Sequence, residues 1–113
     1  MVYYSKRSRA DLLRLFKKLL KWSPNKKSYG AFYAYHEVVE YIEDLENQCK
    51  TLETLTYRER PRYNDHKKHG KYVLSYQRTP RTTWYFIYDI KPNGDILVKK
   101  IMNNHITISG TKK

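Results

Sequence analysis

The sequence predicts an α+β domain, with an N-terminal helical hairpin packed on a C-terminal three- to four-stranded antiparallel β-meander. Three observations carry this expectation. Apolar residues recur at steps of three and four through residues 12–20 and 32–52, the period of a helix. They alternate at step two through residues 72–77 and 83–90, the period of a strand with one buried face. An Asn93-Gly94 pair then separates two apolar runs, which marks a hairpin. At 113 residues the chain suits one domain spanning 1–113, with about 1–57 mainly helical and about 71–108 forming the sheet.

The elements follow in order. Val2-Tyr3-Tyr4 is short and apolar enough to make a brief edge strand. Ser8 with Asp11 three residues later signals a helix start. Leu12, Leu13, Phe16, Leu19 and Leu20 then line one face, and Trp22-Ser23-Pro24 closes the helix. A second, longer helix runs from about Ser28 through Phe32, Tyr35, Val38, Val39, Ile42, Leu45, Cys49 and Leu52. Its other face carries Glu37, Glu40, Glu43, Asp44, Glu46 and Glu53, which complement the basic first helix. Pro61, Asn64-Asp65 and Gly70 break Leu55–Gly70 into a basic loop. Strands are expected over Tyr72–Gln77, Thr83–Ile90 and Ile96–Met102, and Ile106 and Ile108 could add a short fourth.

The 23 Lys and Arg against 11 Asp and Glu give a net charge of +12, and residues 61–113 carry +8 of it. Such a surplus favours a polyanionic partner: nucleic acid, ribosome, an acidic protein or an anionic membrane surface. Twelve tyrosines supply rings that fill a core or stack on bases. Cys49 is the lone cysteine, so an intrachain disulfide is excluded. No apolar run approaches the roughly 18 residues that span a bilayer. MVYYSKRSR lacks the apolar core and cleavage site of a secretory signal, so a cytoplasmic protein without membrane contact is expected.

The chemistry is narrowed by what the second half lacks. Its three carboxylates argue against two-metal nuclease chemistry, which needs several to hold Mg²⁺. His36, His66, His69 and His105 have no local Cys/His pairing, so neither zinc nor another metal or cofactor is expected. His66-Lys67-Lys68-His69 reads as a solvated loop, with a soft-metal site as the lesser alternative. RNA cleavage without metal needs only a proton acceptor for the 2′-OH, a proton donor for the leaving oxygen, and cations for the charge on phosphorus. Histidine, lysine, arginine and tyrosine suffice. Lys99, Lys100, Arg78 and Arg81 are candidate phosphate clamps, and the alternative for each is an ordinary solubilising charge.

Trp84, Phe86 and Tyr88, the Asn93-Gly94-Asp95 turn, the strand Ile96, Val98, Ile101, and the Asn103-Asn104-His105 ending resemble the RelE/ParE superfamily of type II toxins. The C-terminal end is most similar to the YoeB- and YafQ-like branch. The resemblance covers most of the chain in architecture and residues 71–105 in pattern. It implies endoribonuclease action on mRNA at the ribosome, an acidic antitoxin partner, and a catalytic group of His105, Arg81 and Lys71. Lys67, Lys68, Arg78, Tyr85, Lys99 and Lys100 would bind RNA or its phosphates. Tyr85 stands where many members have an arginine. The alternatives are a non-catalytic basic module for nucleic acid or an acidic protein, and a ParE-like toxin directed at gyrase.

Overall fold

The computed structural model describes residues 1–22 and 31–104. The chain begins as β1 (Val2–Tyr4), enters α1 (Lys6–Trp22), and continues through α2 (Ala31–Lys50), which ends in a 3-10 turn (Thr51–Thr54). A short helix, α3 (Asn64–Lys67), precedes β2 (Tyr72–Thr79), β3 (Thr82–Ile90) and β4 (Ile96–Asn103). The strands form one sheet in the order β1-β4-β3-β2. The β2–β3 and β3–β4 pairings are antiparallel, and β1 runs parallel to β4. The α+β class and the meander are as expected. The brief edge strand expected at Val2–Tyr4 is also present, ahead of the helices. One feature is corrected: the sheet is mixed rather than antiparallel. The meander sets the direction of β4, and β1 joins its open edge alongside. Ile96 N donates to Met1 O and Ser5 N to Val98 O, both at 2.9 Å.

The Ser8–Asp11 signal also resolves differently. Ser5 is the N-cap of α1, its Oγ accepting the Ser8 N–H at 3.1 Å, so the helix starts three residues earlier than expected. Ser8 and Asp11 are buried and face β4. Pairing with β1 stops at Val98, which leaves the rest of β4 without a strand on that side. Side chains take over. Ser8 Oγ donates to Val98 O at 2.8 Å, Ser5 Oγ to Lys99 O at 3.0 Å, and Asp11 Oδ2 accepts the buried Ile101 N–H at 3.0 Å. Asp11 Oδ1 also accepts Lys100 Nζ at 2.8 Å and the Arg14 guanidinium. A buried N–H left without water needs such an acceptor.

One face of the sheet packs on the helices. Leu45, Cys49 and Leu52 meet Trp84, Phe86, Tyr88, Ile96, Val98 and Ile101 in a closed core. Burial pushes the Cys49 thiol up to about 12, which leaves it a small apolar filler. Trp84 Nε1 donates to Tyr41 Oη at 3.1 Å, so its buried indole N–H is satisfied from α2. The helices touch through an edge-to-face contact of Phe16 and Tyr35 at 5.7 Å. No helix among the described residues is long and apolar enough to cross a membrane.

The β3–β4 turn keeps its glycine for a reason. Gly94 has φ 93°, the left-handed region, and is the only described residue with positive φ. Asn93 therefore does not supply a second such position. Its side chain accepts the Asp95 N–H at 3.0 Å instead, which fixes the turn.

The other face carries a smaller cluster of Val73, Ile87 and Met102, with Tyr85 partly buried beside it. The segment before β2 lies across this face. Val73 N donates to Glu59 O at 2.9 Å, an isolated antiparallel bridge along the β2 edge. Gly70 lies so close that a Cβ would stand 2.8 Å from Ile87 Cγ2 and 3.1 Å from Tyr88 O.

Two substitutions test these joints by urea unfolding. Asp11→Ala strands a buried N–H and an ammonium, and is expected to cost about 2–3 kcal/mol, with Asp11→Asn losing less because an acceptor remains. Gly70→Ala is expected to cost about 1–3 kcal/mol through overpacking against β3. Unchanged midpoints in either case would contradict these contacts.

Candidate nucleic-acid interface

The segment over the second face is built on one helical turn. His66 N and Lys67 N donate to Tyr63 O at 3.0 and 2.9 Å, and His69 N donates to His66 O at 3.0 Å. Residues three apart then project differently from one and two apart, and the turn sends His66 inward while Lys67 and Lys68 stay exposed. His66 is 1% exposed, with its ring 4.6 Å from Tyr85 and edge-on to Tyr63 at 5.1 Å. Its Nε2 is the buried side-chain polar atom without a hydrogen-bond partner among the described residues. Burial lowers its pKa, and Asp65 opposes that only partly. His66 is therefore a neutral imidazole near pH 7.

His69 sits at the edge of the same turn in a different field. Its Nδ1 lies 3.3 Å from Arg7 Nη1, at the start of α1. A guanidinium only donates, so this contact places the lone pair on Nδ1 and the proton on Nε2. Its pKa is lowered by burial first, then by Lys100, Arg7 and Lys68, with Asp11 acting the other way. A partly buried, neutral imidazole thus stands among three cations. A phosphate could replace solvent as their further counter-charge, with Asp11 remaining in place.

The sequence-predicted residues divide by location. Lys67, Lys68, Tyr85, Lys99 and Lys100 all belong to the face opposite the long helices. A register shift at Lys99 leaves Lys100 opposite Ile87 and lets Lys99 reach Asp89 at 3.6 Å, so two successive lysines serve one side. Lys68 makes an exposed contact with Asp65 at 3.6 Å, which leaves its ammonium accessible to an anion. Lys100 is the more committed, held by Asp11. Arg78 lies on the helix side. Its Nε meets Asp44 at 2.9 Å and its guanidinium covers the Tyr41 ring at 3.7 Å, so it joins β2 to α2. Lys71 and Arg81 are exposed at opposite ends of β2. Eight extended residues keep them roughly 25 Å apart, too far to act on one phosphate. His105, and the strand expected at Ile106 and Ile108, lie outside the described residues.

Arg7, His66, His69 and Tyr63 are the residues that sequence reasoning passed over. Arg7 is one of several basic residues near the N-terminus, and only the return of α1 to the β4 edge brings it to His69. His66 and His69 had a local signal. Two histidines three apart around two lysines share one side once the segment is helical, with the lysines turned away. Among the described residues, no three His, Cys, Asp or Glu side chains gather closely enough to hold a metal ion.

His66 makes stability depend on pH. Its folded pKa lies below the ordinary 6.5, so the unfolded chain takes up the proton first as pH falls. Its contribution is intact above about pH 6.5 and is lost as pH drops through the folded value. Denaturation at pH 7.5 and 5.5 should show this acid-side loss, and His66→Phe should reduce it, with His69 supplying the remainder. An equal loss in both proteins would refute the assignment.

No family model, curated protein or solved structure matches the chain.

Proposed function

We propose that the protein binds RNA on the face bearing α3 and cuts it without a metal ion. The observation that carries the reading is His69, a neutral imidazole flanked by Arg7, Lys68 and Lys100. An RNA phosphate entering this cluster draws Arg7 off Nδ1 and frees the lone pair. That nitrogen takes the proton of the adjacent 2′-OH as the 2′-oxygen bonds to phosphorus. The P–O5′ bond breaks, and the 5′-oxygen leaves with a proton from the exposed Lys68 ammonium. The cations hold the charge that accumulates on the phosphoryl oxygens.

The setting that goes with this chemistry is that of a RelE/ParE-like toxin in the cytoplasm, acting on mRNA at the ribosome and restrained by an acidic antitoxin. Its support is the net charge of +12 and the strand pattern from Trp84 through Asn104. A second reading, a non-catalytic basic module for nucleic acid, is favoured by one observation. Lys71 and Arg81, expected to act together, stand at opposite ends of β2.

Incubation of the protein with RNA in EDTA separates the two. Cleavage is expected to yield 2′,3′-cyclic ends, and His69→Gln should slow it by about 10²-fold or more while RNA affinity stays nearly constant. The rate should rise with pH and level off below pH 6.5, because His69 must be neutral and its pKa lies under that value. Salt-sensitive binding without any cleavage would sink the nuclease and leave the binding module. Slower growth on induction, relieved by His69→Gln, would support the toxin setting.

A further inference from the structure

A cavity of about 200 Å³ opens between the segment leading into α3 and strands β2 and β3, with His66 in its lining. Tyr63 and His66 wall it from the segment, Ser75 and Tyr85 from the sheet, and Glu59 and Arg62 stand at its rim. We propose that this cavity takes one unstacked nucleobase of the RNA, a deduction that rests on the RNA reading above.

Four features point to a base rather than to a bare anion or an apolar ligand. The walls include two aromatic rings, Tyr63 and Tyr85, in edge-to-face contact with centroids 6.4 Å apart, which offer a flat guest a surface to stack on. His66 Nε2, fully buried and unpartnered, is a polar atom that a base edge can satisfy. Glu59 lies 3.6 Å from Arg62, and its carboxylate repels a phosphate but accepts from an exocyclic amine. Arg62, mostly exposed, is left to hold the phosphate next to the inserted nucleotide. The volume also suits one ring system and not a stretch of strand.

Entry has a defined route. Nε2 is buried, the His66 ring packs against Tyr63 and Tyr85, and Tyr63 is the half-exposed one of the two. Turning it aside opens Nε2 to the cavity, and the base replaces the edge contact that Tyr63 gives up. His66 lines the pocket and His69 follows three residues later, so under this proposal the phosphate next to the held base lies toward the cationic cluster.

Fluorescence anisotropy with 2′-O-methyl hexamers of A, C, G and U tests the pocket without cleavage. The wild-type protein is expected to favour one base over the weakest by about tenfold or more. His66→Phe should flatten that preference while binding of the weakest hexamer changes little. Ser75→Leu, which fills the cavity from the strand and leaves His66 in place, should do the same if the first variant folds poorly. Equal binding of all four by the wild type, or a preference that survives both changes, overturns the base pocket alone. Failure to bind any hexamer at low salt overturns the RNA reading and the pocket together.

Discussion

A strand that loses its neighbour partway along leaves N–H and C=O groups that neither water nor sheet can reach, and β4 is such a strand. β1 pairs with it only as far as Val98. The first two turns of α1 complete it through Ser5, Ser8 and Asp11, which meet Lys99 O, Val98 O and Ile101 N. Asp11 is decisive because it accepts from Ile101, Lys100 and Arg14 at once and is itself buried. A carboxylate removed from water is tolerable only with such a set of donors. This arrangement pins α1 against the sheet edge, and two consequences follow from it. The apolar stripe of α1 is delivered to the core side, and the N-terminal turn brings Arg7 to the opposite side, within reach of His69.

The two faces of the sheet then do different work. The helix face holds the large core and absorbs charge in structure, as with Arg78 between Asp44 and Tyr41. The opposite face has only a small apolar cluster and a thin covering segment. Cations gathered there repel one another, and the one buried carboxylate among them, Asp11, is already shared. A polyanion would relieve that repulsion, which is the physical basis for proposing an interface on this face.

Much of the sheet was legible because alternation and hairpin chemistry are local. Trp84, Phe86 and Tyr88 do face the core, and Gly94 does hold the positive φ. The helix start was misread because Ser8 and Asp11 fit a capping pattern, whereas their partners lie some 90 residues away, in β4. Spacing along the chain cannot reveal a bond of that separation. The site was legible in residue type and not in assembly. Lys67, Lys68, Tyr85, Lys99 and Lys100 share a face because strand parity and a bulge at Lys99 put them there. Lys71 and Arg81 were grouped by pattern, yet the length of β2 holds them apart. Arg7 entered only through the packing of α1.

His66 and His69 show how one local choice sets two chemical environments. Both belong to the turn that starts at Tyr63, and the close approach of Gly70 to Ile87 and Tyr88 O fixes the height at which that turn rides over the sheet. At that height His66 is pressed between tyrosines and loses its proton affinity to burial. Three residues on, His69 reaches the rim, where cations add to the same effect. A solvated loop would leave both rings in water with ordinary titration. The burial of one and the cationic surround of the other both follow from the one turn, and they fall three residues apart on the face that the Tyr63–Gly70 segment covers.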